Sequence, residues 1–550
     1  MSTTTEPDID PRAAATAVLA ELTGPGGQFE LVEEEVLGER LPVFVNRRRA
    51  LHELLAESLE HGERVHIATA DRTITFAEHA AHVASLAQAL REEYGVRPGD
   101  RVAINAANTA EWIESFWAIT SIGAIAVAFN AWWSPREVEY GVEHATPVLM
   151  IADQRRLGAL PPVDLPTLSF DEVRRLAAQH PDAPLPRADV AEDDPAAIIY
   201  TSGTSGRPKG ATHSHRNLLA AVEYHRLNDV LMATFGDPTD ARDRSYLLVL
   251  PLFHIASLHN LAIPRLATGS KVVLHEGAFD VDRVMALIER ERVTNWGAVP
   301  TMARRLLEHG DLDRYDTSSL RAFSLASAPS TPEFHQKLRA GLPFASSLVN
   351  SYGLTETCTA VTAASPMDLA EVPSTLGRAI IGVQVEVRDA DGNAVAPGVE
   401  GEVCARSAYN MLGYWNDPEA TARTIRDGRW LHTGDIGTID ATGRLELASR
   451  RSDLIIRGGE NVYPAEIEGV LIEHPDVAEA MVLGVAHEDL GQEVAAVIVP
   501  KDGTHPTEEE LKAYVAERLA YFKVPTRWRL SATPLPRNAT GKIKRAEVSA

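Results

Sequence analysis

Tyr200-Thr-Ser-Gly-Thr-Ser-Gly-Arg-Pro-Lys-Gly210 gathers glycines, small hydroxyls and one lysine into a single short stretch. The run before it, Pro195-Ala-Ala-Ile-Ile-Tyr200, is apolar and predicts a buried strand. The run after it, His215 to Arg226, has helical character. Glycines let a backbone turn its N–H groups toward an anion, and Ser and Thr hydroxyls add donors. Lys209 adds a point charge, so the pattern predicts a polyphosphate cradle. The same residue types also make an ordinary surface loop, and composition alone favours that reading. Two other phosphate motifs fit poorly. Lys209 is followed by Gly210 rather than Ser or Thr, as a Walker loop requires, and no Gly-x-Gly-x-x-Gly occurs in the turn.

Working outward, strand and helix patterns alternate on both sides. Val65-His-Ile-Ala and Thr73-Ile-Thr predict a hairpin, Thr75 to Glu92 a helix, Asp100–Asn105 a strand, Thr109–Gly123 an apolar helix and Ala124–Phe129 a buried strand. After the loop, strands are predicted at Tyr246–Leu250, Lys271–Leu274, Thr294–Val299 and Phe323–Pro329, with helices at Asp280–Arg290, Thr301–His309 and Pro332–Arg339. Such alternation indicates parallel sheets covered by helices. From Gly377 to Tyr409 short alternating strands with turns predict a small antiparallel barrel. Beyond about Arg451, two helices and two strands suffice for a small α+β unit. Residues 1–48, with a short helix over Arg12–Leu22 and the acidic run Glu33–Glu35, form an amino-terminal extension of no legible role.

The chain has 550 residues, 45% hydrophobic and 24% charged, which fits a soluble multi-domain protein. A net charge of -24 argues against nucleic acid or anionic membrane as a partner, since both need a basic surface. Cys358 and Cys404 are the only cysteines, which excludes a disulfide framework and a cysteine-rich zinc site and fits the cytoplasm. Met1 to Asp10 has no apolar signal core, and the stretch Trp117–Phe129 is too short to span a bilayer, so no membrane insertion is expected.

Four further motifs occur in order after the loop: Asn350-Ser-Tyr-Gly-Leu-Thr-Glu356, Trp430-Leu-His-Thr-Gly-Asp-Ile-Gly437, Leu454-Ile-Ile-Arg-Gly-Gly-Glu-Asn-Val-Tyr-Pro464 and Pro536-Arg-Asn-Ala-Thr-Gly-Lys-Ile-Lys-Arg545. With the loop, they resemble the adenylate-forming superfamily of acyl- and aryl-CoA synthetases, from about residue 50 to the end. The resemblance implies an α/β fold. A large amino-terminal domain over 49–450 would hold parallel-rich sheets sandwiched with helices plus a small barrel. A small mobile α+β carboxy-terminal domain over 451–550 would follow.

It also implies roles. Thr201, Ser202, Gly203, Thr204, Ser205, Gly206 and Lys209 would hold the phosphates, with Thr204 counted as catalytic. Tyr352 would stack on adenine beside Asn350 and Gly353, Thr355 would touch the α-phosphate, and Glu356 would bind magnesium, a hard cation suited to carboxylate. Asp435 would accept from both ribose hydroxyls and Arg450 would reach the ribose. Arg457, Gly458 and Gly459 would line the coenzyme A tunnel. Lys542 would stabilise charge during attack of the acid on the α-phosphate. Phe253, His254, Ser257, Ala326, Ser327 and Ala328 would border the acyl pocket. His254 stands where amino-acid adenylation domains place an aspartate, Ser257 where many relatives have glycine, and Ser452 at the hinge where aspartate or lysine is usual.

The implied activity is ATP-dependent activation of a fatty, aryl or bulky cyclic acid as acyl-AMP, releasing pyrophosphate, then transfer to coenzyme A. The alternative acceptor is a carrier protein or an amine. ATP, Mg2+ and coenzyme A are the expected cofactor and co-substrates, and the resemblance admits a homodimer.

Overall fold

The strands Arg101–Asn105, Ile125–Ala128, Leu149–Ala152 and Pro195–Thr201 are apolar nearly throughout, and the interior of each is buried. Strands covered on both faces lose the polar alternation of half-exposed ones. In the computed structural model these four are parallel neighbours within a seven-stranded sheet. The structure describes residues 11–201, 207–235, 237, 239–325, 332–345, 349–389, 391–449, 455–536 and 548–549. The helix Ala110–Ser121 is buried on every side. Its two carboxylates are tolerated there because Glu111 pairs with Arg72 and Arg174, and Glu114 with His82.

A second, nine-stranded sheet carries Ser245–Leu248, Lys271–Leu274, Asn295–Ala298 and Ala322–Leu325 in parallel pairing, with Val349–Gly353 parallel and Ala360–Ala364 antiparallel beyond them. Where a small barrel was expected over Gly377–Tyr409, a five-stranded antiparallel sheet runs on from Val383 to Ser449 and forms a barrel-like unit larger than predicted. The carboxy-terminal part builds its own five-stranded sheet, with the helices Pro464–Ile472 and Glu508–Ala516 over a separate core. Large amino-terminal and small carboxy-terminal domains are thus both present.

Two local features add to or change the reading. The helix expected from His215 starts there, but a strand that the sequence did not suggest comes before it. Lys209–Ser214 forms an antiparallel strand against Pro195–Thr201 and also pairs with Gly413–Tyr414. The two strands form an antiparallel pair, and the helix, His215–Phe235, follows and runs nine residues beyond Arg226. Gly210 is required on this strand, because a Cβ would lie 2.7 Å from Ile198 Cγ2. The second change is in the extension. The helix appears as Pro11–Thr23, but the acidic run forms the strand Leu31–Val36, paired with Glu39–Phe44. Glu34 is held by buried Arg47, which also pairs with Glu192. Phe29 and Phe44 enter the main core.

Candidate active site

One cavity of about 2140 Å³ runs between the two large sheets, the barrel-like unit and the small domain. Strand ends and the turns that follow them supply its polar wall. Thr201 ends one strand and its hydroxyl donates to the Lys209 carbonyl at 3.4 Å. Lys209 begins the returning strand with its ammonium 5.1 Å from the Tyr414 ring centre. Tyr414 in turn donates to Glu356 Oε1 at 2.7 Å. Burial pushes the Glu356 carboxyl above the ordinary carboxylate range, against the opposing pull of the Tyr414 hydrogen bond and Lys209. A cation beside this carboxylate would relieve that penalty. The donor is a hard oxygen, so the site suits magnesium completed by phosphate oxygens and water.

Asn350, Gly353 and Thr355 line the same wall. Tyr352 does not line it. Its ring is 4% exposed and packs with Val361, Val403 and Leu445, while its hydroxyl donates to Asp435 Oδ2 at 2.6 Å. The positions expected to hold adenine and ribose are thus joined directly. Behind Asp435, Glu402 accepts from the Gly434 N–H at 2.9 Å and lies 2.8 Å from His432 Nδ1.

The opposite wall belongs partly to the small domain. Gly458 and Gly459 have φ of 62° and 91°, the left-handed region that favours glycine. Gly459 faces Val299, where a Cβ would come within 3.2 Å. Glu460 follows, 3.7 Å from His254 Nε2. Arg457 is turned away from the cavity and donates to the Phe522 carbonyl at 2.7 Å. Ser257 lines the cavity, but its hydroxyl is bound to the Leu250 carbonyl at 2.6 Å, so it presents little polarity. Phe253 is buried behind His254 with Trp132 against its ring edge. Ser202 to Gly206, Ala326, Ser327, Ala328, Arg450, Ser452 and Lys542 lie outside the described residues.

Several neighbours were not legible from the sequence. Tyr414 is 58 residues from Glu356 and marks no motif. Trp132 packs on Phe253 and on Tyr521 and Phe522 of the small domain, a contact that only the adjacent Trp132-Trp133 pair could have signalled. Beside it, Lys523 Nζ bridges Glu137 and Glu466, each at 2.7 Å, with all three side chains at most 5% exposed. Burial pushes the Glu466 carboxyl up to about 7 while Lys523 pulls it down. Glu137 comes from the large domain and the other two from the small one.

A family profile described as AMP-binding enzyme matches residues 55–415, and one described as AMP-binding enzyme C-terminal domain matches 466–542. A feruloyl-CoA synthase from an Amycolatopsis species is 35% identical, covering 91% of this chain and 97% of that protein. The amide bond synthetase McbA from Marinactinospora thermotolerans superposes with a TM-score of 0.80 at 34% identity, covering 90% of this chain and 98% of that one. A double mutant of o-succinylbenzoate CoA synthetase (MenE) from Bacillus subtilis, bound with its product analogue, gives 0.79 at 32% identity over 90% and 97%. The same enzyme in complex with AMP gives 0.64 at 31% identity over 90% and 98%. Profile, relatives and fold agree that this chain belongs to the AMP-binding enzyme family, in its acid–CoA ligase branch.

Proposed function

We propose that this ligase works through the residues gathered around the one cavity, in two steps that use its two walls in turn. The observation that carries this reading is the cavity itself, which joins Lys209, Glu356 and Asp435 to His254 and the Gly458–Glu460 loop. In the first step a carboxylate oxygen of the acid attacks the α-phosphorus of ATP. The bond to the bridging oxygen breaks and pyrophosphate leaves. Lys209 and the loop before it hold the phosphates, Asp435 holds the ribose, and Lys542 supplies positive charge to the oxygens that gain it. Magnesium, held by Glu356, would neutralise phosphate charge.

In the second step the coenzyme A sulfur attacks the acyl carbon, the thiol proton departs, and AMP leaves with the electrons of the broken C–O bond. Gly458, Gly459 and His254 line the same cavity, with Gly459 packed against Val299, and this suits the second step because the small-domain loop stands beside the reacting end of the acid. The larger similarity to the product-analogue complex of the Bacillus subtilis enzyme than to its AMP complex supports the same assignment. Ser452 is the pivot between arrangements.

We also assign the protein to the cytoplasm, a reading supported by its two free, buried cysteines. No helix among the described residues is long and apolar enough to cross a membrane. The similarity to an amide bond synthetase supports a second reading, in which an amine replaces the thiol. The deciding experiment measures acid-dependent pyrophosphate release over fatty, aryl and polycyclic acids. Coenzyme A and simple amines are then offered in parallel to the adenylate formed. Thioester as the main product supports the first reading; amide as the main product replaces it with the second.

A further inference from the structure

Beyond the nucleotide wall the cavity continues along the helix His215–Phe235. Up to Glu223 this helix is buried on every face; from there one side opens to the cavity through Tyr224, Asn228, Met232 and Phe235. These positions cover twelve residues, eleven rises of 1.5 Å, or roughly 16 Å. The inner part of this arm is polar. His225 Nε2 lies 3.3 Å from Asn260 Oδ1, and both line the cavity. Farther along, Leu231, Met232, Phe235 and Met367 add apolar lining, with Asp237 and Thr239 just past Phe235 in the chain. Phe235 is 48% exposed and Met367 41%, so they form a rim rather than a sealed end.

The remaining side of that outer part is supplied by the helix Pro11–Thr23. Ala15, Thr16 and Leu19 line the cavity, and Leu19 and Leu22 also pack on the main core. The spacing 15, 16, 19, 22 puts these residues on one helical face. Arg12, on the same face, anchors the helix to the short helix Pro366–Glu371 that carries Met367, at 2.7 Å from Glu371 and 3.7 Å from Asp368.

We propose that the amino-terminal helix Pro11–Thr23 is the outer wall of the acyl arm, and that Ala15, Thr16 and Leu19 set the size of an acid whose distal end is apolar. This rests on the assignment of the cavity to acid activation. The arm holds a body far longer than one ring, and only its last part touches this helix. The wall therefore acts on long or multi-ring acids and leaves small ones alone.

The test uses full-length protein and acid-dependent pyrophosphate release with butyric, octanoic, palmitic and a fused-ring carboxylic acid. The readout is kcat/KM for the largest acid the wild type accepts, divided by that for the smallest. Ala15→Trp, which fills the arm, lowers this ratio by about tenfold or more, the scale on which hydrophobic pockets discriminate size. Leu19→Ala, which widens it, extends the range upward. Ala17→Trp, on the exposed side of the same helix, changes nothing. A ratio unmoved by both Ala15→Trp and Leu19→Ala overturns the wall while leaving the ligase reading intact. Proportional loss for all acids, with an unchanged melting temperature, overturns it equally. Absence of pyrophosphate release from the wild type with every acid overturns the proposed function instead.

Discussion

Glu137→Gln separates the two half-reactions by weakening one contact between the domains. Lys523 is nearly fully buried between Glu137 of the large domain and Glu466 of its own. Both carboxylates are 2.7 Å from the ammonium, so each bond is charge-assisted. Glu137 has a second duty, since Oε2 accepts from the Ser134 N–H in a capping box at the start of the helix Pro135–Ala145. Glutamine offers a single carbonyl oxygen for these two donors. Capping is needed in every arrangement of the domains, so its loss cancels between them. The bond to Lys523 exists only while the small domain sits as it does here, with Gly458–Glu460 facing His254. A hydrogen bond to a charged group contributes about 1.5–3 kcal/mol, which at about 1.36 kcal/mol per decade is roughly a 10- to 150-fold change in population. Coenzyme A-dependent transfer from preformed acyl-AMP falls by that factor in Glu137→Gln, while acid-dependent pyrophosphate exchange stays within about twofold. Single-turnover measurement of both steps on one preparation decides it. Equal loss in both steps, or no loss in transfer, would refute the argument that this bridge holds the thioester-forming arrangement.

Lys542→Ala abolishes adenylate formation yet leaves transfer from supplied acyl-AMP largely intact, because its charge serves phosphoryl transfer alone; separate assays of the two steps check this. Glu356→Gln raises the magnesium concentration needed for half-maximal pyrophosphate release by tenfold or more with little change in acid binding. In the wild type, burial raises the Glu356 pKa, so the ionised form disappears as pH falls through a value above the usual carboxylate range. Adenylation therefore weakens on mild acidification, and that limb is absent from Glu356→Gln. Stability follows a different group. Burial lowers His66 to about 3 and His213 and His215 to about 4, so below about pH 6.5 the unfolded chain binds protons that the folded one refuses. At pH 5 each costs about 2 kcal/mol, about 6 kcal/mol together. The melting temperature drops steeply between pH 6.5 and 5, and a flat profile over that range would contradict the neutral, buried state of these rings.

The parallel sheets were legible because strands such as Arg101–Asn105 and Ile125–Ala128 are continuous apolar runs between turn residues. The strand Lys209–Ser214 was not, since Lys-Gly-Ala-Thr-His-Ser has almost no apolar content. It is buried by its neighbours, and one of them, Gly413–Tyr414, lies some two hundred residues away. The acidic strand Leu31–Val36 was hidden for a related reason. Glu33-Glu-Glu35 reads as solvated charge until Arg47 is seen to neutralise Glu34. In the site, single residues with a motif around them could be placed, whereas Tyr414, Lys523 and the cavity face of Pro11–Thr23 act through partners no local pattern reveals.

The long helix His215–Phe235 has a consequence for how acid choice can change. Its cavity-facing positions 224, 228, 232 and 235 recur about once per turn, at steps of roughly 4.5 to 6 Å. They form a ruler laid along the proposed acid arm, with its zero at the nucleotide. One bulky side chain at any mark stops the acid there, and the phosphate and ribose contacts at the far end do not move. Acid length in this enzyme can then be reset in one-turn increments, by single substitutions that leave the reaction itself untouched.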